Sequence, residues 1–162
     1  MSKRFLMAMA LCVSVALASG CAKVQSTPEG DTGNVAAAAD TDAAGFEAAA
    51  KIVADGIVYF DFDKYTIKEE FRPMLGEVAK QLKAYPNMHV RIEGNCDSRG
   101  TQEYNLALGE RRAQAAYEYL VMLGVNPSQL EIISYGKERP AVEGNNAAAW
   151  AKNRRDNFAV TK

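Results

Sequence analysis

The sequence predicts an α/β (α+β) domain in the element order β-α-β-α-β-(α)-β. Two observations carry that prediction. Short runs rich in β-branched and aromatic residues, at 57–62, 88–93, 130–134 and 156–161, alternate with longer segments whose apolar residues recur every three or four positions. Strands separated by helices are joined by crossovers, so the sheet is expected to be at least partly parallel.

The first strand, 57–62, reads IVYFDF. From Thr66 onward Phe71, Met74, Leu75, Val78 and Leu82 keep helical spacing. Pro73 does not suit a helix interior but suits a first turn, so the regular helix is expected to begin near residue 72, and Pro86 ends it. Met88, Val90 and Ile92 alternate with His89, Arg91 and Glu93, the pattern of a half-buried strand. Thr101 is an N-cap for the second helix, and Gln102 and Glu103 suit its positive end. The expected buried stripe of that helix is Leu106, Ala113, Ala116, Leu120 and Leu123, with Gly124 closing it; this places Leu108 off the stripe. Residues 130–134 form a third strand, 145–152 a short helix and 156–161 a last strand. Lys137 and Glu138 fall in an exposed turn.

The chemistry is concentrated between Gly94 and Arg112, in GNCDSRGTQEYNLALGERR. Asp97 lies in a loop flanked by glycines. Asn105, Leu108 and Arg112 follow at i, i+3 and i+7, so they project from one helix face. An acid and an arginine on either side of a loop–helix junction form a receptor for a zwitterion: the acid holds an ammonium, and the guanidinium holds a carboxylate through two parallel hydrogen bonds. Asp63 follows the first strand as Asp97 follows the second. Ligands of open α/β sheets sit beyond the carboxyl ends of the strands, so if those strands run parallel both acids reach one edge. Each residue also has a plainer reading. Asp97 and Asp63 suit turns, Arg112 alone reads as a solvated helix residue, as Arg111 does, and Asn105 suits orienting the Asp97 loop through side-chain to backbone bonds. Asn153, Arg154 and Arg155 read as structural, pairing with strand carbonyls or acids at the sheet edge.

Residues 52–162, from IVADGIVYFDFDKYTI through the segment above to SYGKERPAVEGNNAAAWAKNRRDNFAV, resemble the OmpA-like peptidoglycan-binding domain family. The resemblance implies a mixed-sheet sandwich with its helices packed on one face. It implies that the loop acid and the helix arginine, here Asp97 and Arg112, grip the diaminopimelate of the cell-wall stem peptide. It implies further that Phe62 and Asp63 line the pocket and that Leu108 packs on the ligand's methylene chain. Asn95 stands where the family often has a histidine. The implied function is a non-covalent tether between outer membrane and peptidoglycan, with the periplasmic Tol propeller protein and other Tol components as partners. The alternatives are a wall anchor for another envelope complex and a cell-wall hydrolase. Against the latter, His89 is the one histidine, no strand–GxSxG–helix elbow occurs, and an arginine beside carboxylates lowers their pKa, the wrong direction for a general acid.

The amino terminus reads as a leader. Lys3 and Arg4 precede an apolar run, 5–17, and then Ala18-Ser19-Gly20-Cys21. The run is short of the ~20 residues that span a bilayer. The small residues before Cys21 resemble a lipoprotein signal, with Ala18 where leucine is usual, and Ala22 in place of an inner-membrane-retaining aspartate favours the outer membrane. Acyl chains on Cys21 would anchor the protein with the domain facing the periplasm, each buried methylene contributing ~0.8 kcal/mol. The expected plan is a signal at 1–20, a lipidated terminus and flexible tether at 21–50 and the binding domain at 51–162. The segment 22–50, rich in Ala, Gly, Ser, Thr, Asp and Pro, has little apolar surface to offset ordering entropy, with partial helix expected over its Ala-rich part from Ala43 to Lys51. As a coil it would span roughly 30 Å and stretch to about 100 Å.

Lys and Arg number 19 against 20 Asp and Glu and are interspersed with them, which argues against nucleic acid as a partner. Cys12 leaves with the leader and Cys21 takes the lipid, so Cys96 has no disulfide partner and reads as a small packed residue. No metal and no cofactor beyond the covalent lipid is expected.

Overall fold

The computed structural model describes residues 35–161; the expected leader, the lipidation site Cys21 and the tether up to residue 34 lie outside the described residues. Among the described residues four α-helices and four strands alternate: α1 (Val35–Ala54), β1 (Ile57–Tyr59), α2 (Arg72–Ala84), β2 (His89–Asn95), α3 (Gln102–Met122), β3 (Leu130–Gly136), α4 (Ala147–Asn153) and β4 (Arg155–Thr161). The strand order is β1-β4-β2-β3. β4 runs antiparallel to both neighbours and β2 parallel to β3, so the sheet is mixed. Because β1 and β2 are each antiparallel to β4, they point the same way and end at one rim.

The alternation in β2 follows from its two environments. Val90 and Ile92 turn to the core with Val58 and Phe158 from the neighbouring strands, while Arg91 and Glu93 point to the opposite, half-exposed face. α1, α2 and α3 supply the other side of that core through Val53, Leu75, Val78, Leu82, Ala113, Ala116 and Leu120. Among the described residues no helix is long and apolar enough to cross a membrane.

Three elements differ from the sequence expectation, each for a packing reason. α1 starts at Val35, upstream of the domain boundary placed at residue 51, and Ala49 and Val53 are buried. Alanine is a strong helix former, so the helix expected over Ala43–Lys51 extends to both sides, and Ala49 and Val53 pack with α2 and β4 while the Phe46 ring sits edge-on to Tyr85 at 5.6 Å. β1 ends at Tyr59, short of the expected 57–62, because the chain folds back at Asp61–Lys64; the regular helix starts at Arg72 as expected, with Pro73 in its first turn, after a single 3₁₀ turn at Glu69–Phe71.

The third difference concerns α3. Leu108 is 7% exposed and Leu106 is 38% exposed, the reverse of the expected stripe. The buried face runs Asn105, Leu108, Gly109, Arg112, Ala113, Ala116, Leu120. Its first turns carry polar side chains that find carbonyl partners, which hides the helical period from a reading of apolar residues alone. Thr101 caps the helix by accepting from the Tyr104 amide at 3.2 Å, and Gly124, at φ +88°, takes the left-handed turn that ends it. Gly109 sits directly against Gly94 of β2, and a methyl at Gly94 would run into the Gly109 carbonyl. That close approach seats the start of α3 on the end of β2, which is where the candidate site forms.

Candidate functional site

The rim where β1 and β2 end is built from two loops and one helix. After β1, the Phe60 amide donates to the Arg154 carbonyl at 3.0 Å, and the chain then folds back, with the Lys64 amide on the Asp61 carbonyl at 3.2 Å. Asp63 adopts φ +57°, a left-handed conformation that aspartate tolerates better than most residues. After β2 the register shifts at Gly94/Asn95, and the Cys96 amide donates to the Gly136 carbonyl at 2.7 Å. The Asp97 carboxylate then caps its own loop, accepting from the Arg99 amide at 3.1 Å. Asn105 donates to the Arg99 and Thr101 carbonyls at 2.8 and 3.1 Å, which is the loop-orienting geometry expected of it.

Arg112 ties the two loops together. Its Nε donates to the Lys64 carbonyl at 2.9 Å, Nη1 to the Asn95 carbonyl at 2.9 Å and Nη2 to the Asp61 carbonyl at 3.2 Å. Nη1 also lies 3.4 Å from the Cys96 sulfur. Four acceptors therefore engage four of the five guanidinium N–H groups, and the residue is fully buried. The pair of parallel bonds expected from a free guanidinium reduces to one uncommitted N–H. Burial draws this group below the usual arginine value.

The six residues singled out from the sequence, Phe62, Asp63, Asp97, Asn105, Leu108 and Arg112, all line one cavity of about 240 Å³ at this rim. Cys96, Gly100 and Tyr104 also line it, and the Tyr104 hydroxyl donates to Asp63 across the mouth. Two further lining residues, Arg99 and Arg154, were not singled out as site residues. Arg99 forms a two-point pair with Asp97, Nε to Oδ1 at 3.2 Å and Nη2 to Oδ2 at 2.6 Å. Arg154 adds Nη1 to Oδ2 at 3.2 Å while its Nε donates to the Phe60 carbonyl at 2.9 Å. The reading of Arg154 as pairing with strand carbonyls and acids thus describes its bonds but misses that the acid is Asp97. The usable signal is local for Arg99, which stands two residues after Asp97; for Arg154 it is only membership of the run Asn153-Arg154-Arg155.

The electrostatics follow from this arrangement. Burial alone would raise the Asp97 pKa, but the bonds from Arg99 and then Arg154 outweigh it and hold the carboxyl below its usual range. Burial pushes the Cys96 thiol up to about 11, against the pull of Arg112, so at neutral pH it is a packed thiol and not a nucleophile. Asp156 lies beneath the site, in register with Val58 and Gly94. It is fully buried, and neither carboxyl oxygen has a hydrogen-bond partner. Burial raises its pKa well above the ordinary value, opposed by Arg112 and Arg155. A raised folded-state pKa means stability declines as pH rises from ~4, the unfolded value, toward the folded one. Asp156→Asn is therefore expected to melt a few degrees above the parent at pH 7, the two curves converging near pH 4; a parent more stable than the variant at pH 7 and not at pH 4 would reverse the assignment. Among the described residues no group of three or more His, Cys, Asp or Glu is placed to hold a metal ion.

Residues 59–154 match the OmpA family. A peptidoglycan-associated lipoprotein of Pseudomonas putida is 45% identical over 158 residues, covering 90% of this chain and 91% of that protein. The crystal structure of the peptidoglycan-associated lipoprotein from Burkholderia pseudomallei superposes with a TM-score of 0.66 at 44% identity, over 68% of this chain and 93% of that one. The C-terminal domain of Helicobacter pylori MotB gives a TM-score of 0.61 at 23% identity, over 65% of this chain and 84% of that one, a likeness of fold alone.

Proposed function

This chain belongs to the OmpA family, alongside the peptidoglycan-associated lipoproteins, and on that premise we propose that it binds peptidoglycan non-covalently through the diaminopimelate of the stem peptide. The observation that carries the reading is the convergence of Asp97, Arg112 and Leu108 on one cavity. The Asp97 carboxylate takes the ligand ammonium, the remaining Arg112 N–H takes a carboxylate oxygen at the cavity floor, and Leu108 packs on the methylenes. Phe62 and Asp63 line the same cavity, and Asn105 keeps the Asp97 loop in place. Two charge-assisted contacts and one apolar contact correspond to micromolar affinity, about 8 kcal/mol after association costs, with repetition of the wall peptide adding avidity.

The reading is of a binding protein and not a hydrolase. A general acid needs a raised pKa, and Asp97 is held low by two arginines, which suits ion pairing. With acyl chains on Cys21 the protein would fasten the outer membrane to the wall from the periplasmic side. In this proposal it acts within the Tol–Pal system, in envelope integrity and cell division. The periplasmic Tol propeller protein and other Tol components are then its partners and compete for an overlapping surface.

The test is co-sedimentation with purified sacculi. The protein is expected to pellet with them, to be released by free diaminopimelate and to liberate no soluble muropeptides. A protein left in the supernatant, or pelleting undisturbed by excess diaminopimelate, refutes the site; released muropeptides point to hydrolysis instead.

A further inference from the structure

We infer that Arg99 makes this site selective for a zwitterion over a simple ammonium, because it already holds the carboxylate that an ammonium must reach. The inference rests on the proposed wall-binding reading and specifies what that site discriminates.

Both oxygens of Asp97 are engaged by side chains and backbone of the protein itself. Oδ1 accepts from the Arg99 amide and Nε at 3.1 and 3.2 Å, and Oδ2 accepts from Arg99 Nη2 at 2.6 Å and Arg154 Nη1 at 3.2 Å. A ligand ammonium therefore replaces a guanidinium. Arg154 is the fixed partner: its side chain is 15% exposed and is pinned on the Phe60 carbonyl. Arg99 is the replaceable one. Its side chain is 34% exposed, and its guanidinium lies between two aromatic faces, 4.0 Å from the Phe62 ring centroid and 4.1 Å from that of Trp150. The Trp150 indole is itself held by Ser98 and Asn145, each at 3.1 Å. A guanidinium between two rings can shift within its plane and keep both cation–π contacts.

The consequence is an exchange of ion pairs. A ligand with an ammonium alone breaks the Asp97–Arg99 pair and forms one in return, leaving Arg99 without a counter-charge. A ligand that carries a carboxylate on the same carbon forms two pairs for the one broken, since Arg99 turns to that carboxylate. Arg112 does not supply this second contact in full, because four of its N–H groups are already bound. Diaminopimelate and lysine present this choice directly: they share the chain and the terminal ammonium, and only diaminopimelate has the carboxylate beside it.

The experiment is calorimetric titration of the full domain with two muropeptides differing only in diaminopimelate or lysine at the third stem position. The wild type is expected to prefer the diaminopimelate form by about 100-fold. In Arg99→Gln the ratio is expected to fall below about 10-fold, because the lysine form no longer has to break the Asp97–Arg99 pair and so gains affinity. Arg99→Lys keeps the charge and is expected to retain most of the preference. Thermal melts establish that both variants are folded. A ratio unchanged in Arg99→Gln, a proportional loss of both ligands, or an Arg99→Lys variant behaving like Arg99→Gln overturns the inference. A wild type that binds neither muropeptide overturns instead the wall-binding reading beneath it.

Discussion

Arg112→Ala is expected to cost about 4 kcal/mol of stability, a fall in melting temperature of roughly 10–20 °C. The reason lies in what the guanidinium satisfies. The carbonyls of Asp61 and Lys64 after β1 and of Asn95 at the end of β2 are bound by this one side chain, and the residue has no exposed surface. A stranded buried acceptor costs about 1–3 kcal/mol, and alanine would strand several at once. The substitution also takes away the charge that most opposes the burial of Asp156. A reading of Arg112 as a solvated or purely ligand-facing residue predicts an unchanged melt. Calorimetric or circular-dichroism melting of the purified variant separates the two. Loss of wall binding with an unaltered melt would show that the carbonyl contacts contribute little. Because the loops themselves depend on Arg112, binding lost in this variant reports on the shape of the pocket as much as on contact with a ligand.

Asp97→Asn is expected to weaken binding to sacculi or to a diaminopimelate muropeptide by about 10–100-fold, the equivalent of ~1.5–3 kcal/mol for one charge-assisted contact. The amide keeps the shape of the loop and can still accept from the Arg99 amide, so the melting temperature is expected to stay within a few degrees of the parent. The pH dependence carries its own sign. The Asp97 pKa is depressed: burial pushes it up, and the Arg99 and Arg154 bonds more than reverse that. A depressed carboxyl contributes fully above the ordinary value of ~3.9 and is lost as pH falls through the lower folded value. Binding is thus expected to hold from pH 7 down to the ordinary carboxylate value of ~3.9 and to be lost only below it, while the residual binding of Asp97→Asn shows no such transition. Wild-type affinity in Asp97→Asn would remove the carboxylate from the site.

Much of the fold could be read along the chain, and the reason is that burial imposes a local period. Met88, Val90 and Ile92 face the core with their intervening residues turned away, and the strand they predict is the one observed. Thr101, Pro73 and Gly124 act on backbone groups within a few residues of themselves, so cap, first turn and helix end needed no partner from elsewhere. The pairing of acid, asparagine, leucine and arginine on one rim was likewise legible as spacing. It became a cavity only because β4, the last strand, inserts between β1 and β2 and makes them point the same way.

What spacing could not reveal was the fate of individual charges. Asn105 and Arg112 look like the wet side of α3 and are buried: Asn105 meets the Arg99 and Thr101 carbonyls just ahead of the helix, and Arg112 meets carbonyls from two loops far away in the chain. Leu106 and Leu108 exchange places for the same reason. Arg154 reaches Asp97 across 57 residues of chain, and Ala49 of α1 becomes part of the core only where α2 and β4 cover it. Secondary structure follows from each residue's immediate neighbours. Whether a guanidinium is solvated, bound to carbonyls or paired with one particular carboxylate depends on which distant segments exclude water around it, and that is settled only when the chain has closed on itself.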